Sequence, residues 1–257
     1  MKILITGGNG YVAKSLANNL NNTISITRKD FDLTDREATN NWFNNKYFDV
    51  VIHTAVVGGS RLKKDNGDIF YQNIQMFYNL LNNKHNFGKF IHFGSGAELN
   101  MPTDPYGLSK NVISKIINIE PNFYNIRIFG VFDENELDTR FIKNSIKRYI
   151  NKQSIEIHQN KLMDFFYMKD LVELIKYYIY ESNHVLPKNI DCTYSKPTSL
   201  LNIANIINNL SDYKVKINIG KDKAPNYTGE PFIYNRIKLI GLKNGIKETY
   251  NKINETN

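Results

Sequence analysis

The 257-residue chain contains a single cysteine, Cys192, which rules out a disulfide framework. It contains no apolar run near the ~18–20 residues that a membrane-spanning helix needs. The opening, Met-Lys-Ile-Leu-Ile-Thr-Gly-Gly, enters a strand at once and lacks the charged, apolar and cleavable regions of a secretory signal. These absences predict a soluble protein of a reducing compartment, the cytoplasm, with no membrane partner. Internal repeats and low-complexity linkers are missing too. His53, His85, His92, His158 and His184 fall at no metal-ligand spacing, so no metal is expected. Nor are there basic runs. Lys and Arg outnumber Asp and Glu by 33 to 25, a net charge of +8, but the lysines are scattered and no DNA- or RNA-binding motif accompanies them. The excess reads as compositional drift, and no nucleic-acid partner is expected.

What the chain does have is material for a core: 41% hydrophobic and 12% aromatic residues, too much for a disordered chain. Short apolar runs at Lys2–Thr6, Thr23–Thr27, Asp49–Ala55, Lys89–Phe93 and Asn122–Phe129 read as strands. Between them lie helical patterns at Tyr11–Asn19, Thr34–Trp42, Asp68–Asn82 and Pro105–Ile119. Thr34 followed by Glu37 reads as a capping box. The alternation predicts an α/β fold, a parallel sheet covered on both faces, with ligands at the carboxyl ends of the strands. Beyond Gly130 the pattern loosens. A helix is expected at Arg140–Ile150, a strand-then-helix at Phe165–Tyr180, a last sheet strand at Asn189–Thr193, a helix within Ser195–Leu210, a strand at Lys214–Ile219 and closing helices over Ile237–Ile253.

Three features fall at strand ends. Thr6-Gly7-Gly8-Asn9-Gly10-Tyr11-Val12-Ala13 joins the first strand to the first helix. Its glycines let the backbone approach a pyrophosphate, which the helix N-terminus then attracts. The second strand ends Thr27-Arg28-Lys29-Asp30-Phe31-Asp32-Leu33. An acid there would bind ribose hydroxyls, whereas Arg28 and Lys29 attract a 2′-phosphate, which favours NADP(H); Asp32 and Leu33 are placed for the adenine. Finally, Tyr106-Gly107-Leu108-Ser109-Lys110 sets Tyr and Lys one turn apart at the opening of a helix, behind Ser95 at the end of a strand. A free phenol, with a pKa of about 10, is a poor acid–base at neutrality, and an adjacent ammonium lowers that value. Such a Tyr can exchange a proton with a substrate oxygen while a nicotinamide carries hydride, and Ser95 can hydrogen-bond the same oxygen.

With these features in this order, nearly the whole sequence resembles the extended short-chain dehydrogenases/reductases of the NAD-dependent epimerase/dehydratase family, enzymes that modify nucleotide sugars. Thr27 to Phe43 and Ala55-Val-Val-Gly-Gly59 are most similar to the 4-keto-sugar reductases of the GDP-L-fucose synthase type. The resemblance implies a Rossmann-type doubly wound sheet over 1–129, with 164–195 returning to it. A small C-terminal α/β substrate-binding subdomain would comprise 130–163 and 196–257. It implies NADPH in preference to NADH, held by Gly7, Asn9, Gly10, Tyr11, Val12, Arg28, Lys29, Asp32, Leu33, Ala55 and Lys110. Ser95, Tyr106 and Lys110 would be catalytic. A nucleoside-diphosphate sugar would contact Ser95, Gly96, Tyr106, Arg140 and Arg148. A homodimer is admissible by analogy alone.

The departures shape the expected reaction. Fucose synthase epimerises its sugar with a Cys and a His. Ala97 and Arg140 stand at those positions, and neither serves as an acid–base at neutral pH, so reduction without epimerisation is expected. Gly130 replaces an Asn used near the sugar, and Met163 replaces an Arg that holds the diphosphate; Arg148 matches a diphosphate ligand, and Lys161 is either its complement or plain surface. Ser95 and Tyr106 lie only eleven positions apart, so the loop that covers the sugar is trimmed. Two further readings stay open: an NAD-retaining 4-epimerase, and a non-catalytic NADP(H)-binding regulatory protein. Among other residues, His53 and His92 read as core histidines and Cys192 as inert. Asp164, Lys169 and Asp170 read as caps of a helix junction, and Glu98 either touches a sugar hydroxyl or faces solvent.

Overall fold

Ile3, Leu4 and Ile5 are all fully buried, as consecutive residues must be in a strand covered on both faces. They form β1 (Ile3–Thr6) in a computed structural model that describes residues 1–60, 64–182, 184–232 and 234–255. There follow α1 (Tyr11–Asn19), β2 (Thr23–Ile26), α2 (Arg36–Phe43), β3 (Phe48–His53), α3 (Gly67–Asn82), β4 (Phe87–Ser95), α4 (Ala97–Asn100), α5 (Pro105–Ile119) and β5 (Phe123–Ile128). The remainder runs β6 (Val131–Phe132), α6 (Phe141–Ile150), β7 (Ile155–Ile157), β8 (Leu162–Met163), β9 (Phe166–Tyr167), α7 (Met168–Tyr180), β10 (Asn189–Asp191), β11 (Thr198–Ser199), α8 (Leu200–Asn208), β12 (Ile217–Ile219) and α9 (Leu242–Glu255).

Six strands form the central sheet in the order β10-β5-β4-β3-β1-β2. β1 runs parallel to β2 and β3, and β3 parallel to β4. The chain steps from β1 outward to β2, then crosses back to β3 and onward, so the carboxyl ends of β1 and β3 flank the switch point at which such sheets bind ligands. The fold is a Rossmann-type α/β fold. Contacts divide the chain into two compact units, 1–127 with 175–190, and 128–174 with 191–257. The segment returning to the sheet thus starts at 175 rather than 164, because Met163, Phe165 and Tyr167 pack with Ile146, Ile203 and Ile246 in the second unit's core.

In the first unit, Leu4, Val51 and Phe90 share one core with Phe43 of α2, Phe77 and Leu80 of α3, and Ile113 and Ile117 of α5. Alternation sends Ile5, Ile52 and Ile91 to the opposite face. Lys89, on that same face, donates from Nζ to the carbonyls of Tyr178 (2.5 Å) and Ile179 (3.2 Å). It thereby caps the end of α7, whose last carbonyls have no partners within the helix. The start of α2 differs from the expected capping box. Asp35 is the N-cap and accepts from the Ala38 N–H at 3.0 Å, since Asp caps as well as Thr does. Thr34 instead gives its N–H and hydroxyl to Asp32, both at 2.9 Å.

The second unit packs α6, α8 and α9 around Ile142, Ile146, Tyr149, Ile203, Ile207 and Ile253, edged by the pairs β7–β12, β8–β11 and β6–β9. The expected caps of the α7 junction do other work. Asp170, 1% exposed, accepts from Ile240 N (2.7 Å), Gly241 N (2.9 Å) and the Tyr194 hydroxyl (2.5 Å), which pins the approach to α9. Asp164 accepts from Gly229 N at 2.9 Å, and Lys169 pairs with Glu248 at 2.6 Å. No described helix is long and apolar enough to cross a membrane.

Tyr149 is the polar pivot of the second core. Its fully buried hydroxyl lies 2.7 Å from Ser211 Oγ, donates to the Tyr213 carbonyl at 3.1 Å and accepts from Ser211 N at 3.1 Å. Tyr149→Phe strips partners from both backbone groups. It is expected to cost about 1–2 kcal/mol and to lower Tm by about 2–8 °C in a thermal melt; an unchanged Tm would show that water replaces the hydroxyl.

Candidate functional site

The site's first part is built where β1 ends. Gly7 has φ +70°, and a Cβ there would lie 2.8 Å from Ala55 N and Cα, so only glycine lets the ends of β1 and β3 come this close. The turn is locked by Gly8 N donating to the Ile26 carbonyl (2.9 Å) and Gly10 N to the Gly7 carbonyl (2.8 Å). α1 then starts at Gly10 with no side chain capping its first N–H groups. Those donors and the positive helix end face out beside the exposed Asn9 and Gly10 and the half-buried Tyr11 and Val12. Alongside lies a cleft of about 350 Å³ whose walls include Gly7, Thr27, Arg28, Leu33, Ala55 and Met76. Asp32 also lines it, whereas Lys29 is exposed and outside it.

Both acids of the second strand's end are occupied locally. Asp30 accepts from Thr27 N (2.8 Å) and Oγ1 (3.0 Å), which hold its carboxyl below the usual range. Asp32 is lowered by the Thr34 backbone N–H, then by the Thr34 hydroxyl and the Arg28 charge, against a small opposing effect of burial. Among the described residues of the cleft wall, Arg28 is the cation.

The second part is built where β4 ends. Pro105 opens α5, with its fixed φ suited to a first helical residue. Tyr106 and Lys110 follow one turn apart, with Lys110 Nζ 5.9 Å from the Tyr106 ring centroid. Lys110 is 4% exposed. Its ammonium donates to the Phe93 carbonyl at 2.6 Å and lies 3.4 Å from His92 Nε2. Burial lowers the Lys110 ammonium, opposed by the charge of Glu98. Ser95 is buried, and its Oγ accepts from Ala97 N at 3.2 Å. Gly59 lies against the Tyr106 ring, where a Cβ would come within 2.8–2.9 Å of the ring carbons. Asn73 of α3 ties these pieces together: it bonds both backbone groups of Val57 (2.9 and 3.0 Å) and the Ser109 hydroxyl (3.1 Å).

The first unit therefore brings Gly7, Arg28, Asp32, Leu33 and Ala55 to one cleft and sets Ser95, Tyr106 and Lys110 around the end of β4. Gly96 is buried, and its carbonyl accepts from Leu99 N (3.2 Å) and Asn100 N (3.0 Å) in the turn of α4. Arg140 and Arg148 belong to the second unit. Arg140 is exposed at the N-cap of α6. Arg148 donates from Nε to the Ser154 carbonyl (2.5 Å) and pairs with Glu156 at 3.4 Å. Gly130 and Met163 explain each other: a Cβ at 130 would lie 3.3 Å from Met163 Cε and 3.0 Å from the Phe165 ring.

Glu98 neither faces solvent nor offers itself to a ligand. It is 1% exposed and accepts from Ser95 N at 2.9 Å and from Asn125 Nδ2 at 3.0 and 3.3 Å. The roles of Glu98, Asn125 and Asn73 escaped the sequence reading, although Asn125 and Arg127 on alternate positions of a strand are a polar signal that could have exposed the first two. His53 and His92 are core residues, as expected. His53 Nδ1 lies 2.8 Å from Thr6 Oγ1, and the two rings sit 5.3 Å apart. Burial, then the Lys110 charge, holds His53 down at about 3. Burial likewise pushes the Cys192 thiol far up. No cluster of His, Cys, Asp and Glu among the described residues could hold a metal ion.

The neutral His53 generates a pH prediction. A base whose folded pKa, about 3, lies below its unfolded value of 6.5 contributes stability above 6.5 and loses it as pH falls toward 3. His53→Asn removes that titration. Between neutral pH and about pH 4, its Tm is expected to fall less than the wild type's. An equal fall in melts at the two pH values would show that His53 is not buried neutral.

The dinucleotide-binding features fit the glycine cradle that only a missing Cβ permits, the uncapped α1 and the adjoining cleft. No curated protein matches the chain, but solved structures do match in fold. A GDP-6-OMe-4-keto-L-xylo-heptose reductase from C. jejuni aligns with TM-score 0.77 at 16% identity, over 100% of this chain and 98% of its own. A GDP-mannoheptose C4 reductase from Campylobacter jejuni with NADP bound gives 0.73 at 19%, covering 97% of each. A UDP-glucuronic acid 4-epimerase from Bacillus cereus with NAD gives 0.74 at 16%, covering 100% of each. At such identities the likeness is one of fold. The sequence itself matches, over residues 3–191, the model of the NAD dependent epimerase/dehydratase family, and the chain belongs to that family.

Proposed function

We propose that the protein is a reductase that uses NADPH on a nucleoside-diphosphate 4-keto-6-deoxy sugar and leaves the neighbouring ring carbons unepimerised. The observation that carries this reading is the buried Lys110 ammonium one turn from Tyr106, anchored on the Phe93 carbonyl at 2.6 Å. The backbone at Gly7, Asn9 and Gly10 and the first N–H groups of α1, at Tyr11 and Val12, would hold the pyrophosphate. Arg28, with Lys29 beside it, would meet the 2′-phosphate, Leu33 and Ala55 would flank the adenine, and Lys110 would reach the nicotinamide ribose. When bound, the cofactor supplies hydride at nicotinamide C4.

The chain's own residues then do the rest. Tyr106 Oη gives its proton to the carbonyl oxygen as that oxygen becomes an alkoxide. Ser95 Oγ donates a hydrogen bond to the same oxygen and stabilises the growing charge. Lys110 Nζ keeps the phenol acidic enough to act near neutrality. Ala97, fully buried, has no group that could remove a proton next to the ketone. Two of the matched structures are GDP-heptose C4 or 4-keto reductases, which supports reduction. The engagement of Asp30 and Asp32 by Thr27 and Thr34 supports NADPH over NADH.

The test is a screen of nucleoside-diphosphate 4-keto sugars with NADPH and NADH, followed by the nicotinamide absorbance. Stoichiometric NADPH oxidation is expected with one of them. Tyr106→Phe is expected to lose roughly 10²–10⁴-fold in kcat while binding NADPH as the wild type does. Arg28→Ala with Lys29→Ala is expected to lose the preference for NADPH. Isomerisation of the sugar with retained cofactor and no net oxidation would make it a 4-epimerase. An unchanged biological role in Tyr106→Phe would make it a non-catalytic binder.

A further inference from the structure

Beneath the residues assigned to chemistry lies a charge that they leave unused. Glu98 is the second residue of α4, a single turn within the short link from β4 to α5. It is almost wholly out of water at 1% exposure, which an ionised carboxylate tolerates only when hydrogen-bonded and paired. Burial pushes this carboxyl up to about 7, against the Ser95 N–H, the Arg127 and Lys110 charges and the Asn125 amide, all of which favour the ion. Oε1 accepts from the Ser95 N–H at 2.9 Å, and both oxygens accept from Asn125 Nδ2 at 3.0 and 3.3 Å. The charged groups facing it come from two other elements, Arg127 on β5 and Lys110 on α5. The backbone makes room on purpose: any side chain at Gly94 would collide with the Glu98 carboxylate and the Asn125 amide. The carbonyl of Glu98 also accepts from Asn111 Nδ2 at 3.1 Å, which ties α4 to the helix carrying Tyr106.

We propose that Glu98 is a positioning residue of the Ser95–Tyr106–Lys110 group: it fixes the Ser95 backbone and supplies the buried negative charge that balances the Lys110 ammonium. The inference rests on the reading of those three residues given above. The neighbours of Lys110 make the balance necessary. His92 lies 3.4 Å from Nζ, His53 adds no negative charge, and the Phe93 carbonyl is a dipole only. The Glu98 charge favours the protonated Lys110, while burial acts against both ions. Removing it takes away the anionic charge that favours the protonated Lys110, and Lys110 sheds its proton at lower pH.

Lysine labelled with ¹³C at Cε, with the Lys110 resonance assigned by Lys110→Arg, follows that proton by NMR in the protein without any substrate. In Glu98→Gln the Lys110 midpoint is expected to move down by about one pH unit, and in Glu98→Asp to stay near the wild type. Glu98→Gln keeps the oxygen that accepts Ser95 N. Asn125 Oδ1, which has no hydrogen-bond partner among the described residues, can turn to meet the new amide. Where Glu98→Gln does not fold, Glu98→Asp decides with the Ser95 amide resonance: a wild-type Lys110 midpoint with a displaced Ser95 signal supports the proposal, and a lowered midpoint overturns it. An unmoved midpoint in folded Glu98→Gln overturns it outright. The titration needs no turnover, so its failure is separable from failure of the reductase reading, which the sugar screen alone decides.

Discussion

An ammonium group taken out of water must find something polar to replace the water, and the first unit is organised around that requirement at Lys110. One hydrogen-bond acceptor comes from β4, the Phe93 carbonyl. The opposing charge comes from α4, and the Tyr106 ring stands one turn earlier on α5, 5.9 Å from Nζ. None of these groups is near another by accident of surface position. Each sits at the carboxyl end of a strand or the amino end of the helix after it, where a parallel sheet leaves backbone groups and side chains open to a ligand.

Much of the fold was legible from residue order. β1 and β3 carry near-continuous apolar runs because both faces are covered, and α1 and α5 begin and end where their patterns do. The glycine turn and the Tyr106–Lys110 pair were readable because their chemistry depends on local spacing. What escaped depends on residues far apart in sequence. The N-cap of α2, by contrast, moved only from Thr34 to Asp35, because the nearby Asp32 takes the Thr34 hydroxyl. Glu98 read as either touching a sugar hydroxyl or facing solvent because the groups that make its burial tolerable, Asn125 and Arg127, come from the next strand of the sheet. The two units change over at 175 rather than 164 because a core shared with α8 and α9 claims Phe165 and Tyr167.

The departures from the family pattern are likewise coupled in space. Gly130 and Met163, thirty-three positions apart in sequence, fill one volume in the second unit. A larger residue at 130 would drive into the Met163 methyl and the Phe165 ring. The two positions are therefore one packing arrangement, and a side chain added at 130 requires Met163 or Phe165 to move.

The loop after β2 has a consequence for how cofactor choice could drift over evolutionary time. The carboxylates that would recognise an unphosphorylated ribose are already present there, but each is spoken for by a threonine hydroxyl and N–H close by in the chain. Exchanging the basic side chain alone would leave those acids folded back on their own turn. Losing the Thr34 hydroxyl as well would still leave Asp32 held by the Thr34 N–H, so freeing an acid on the cleft wall asks for a change in the turn's backbone as well as in its side chains.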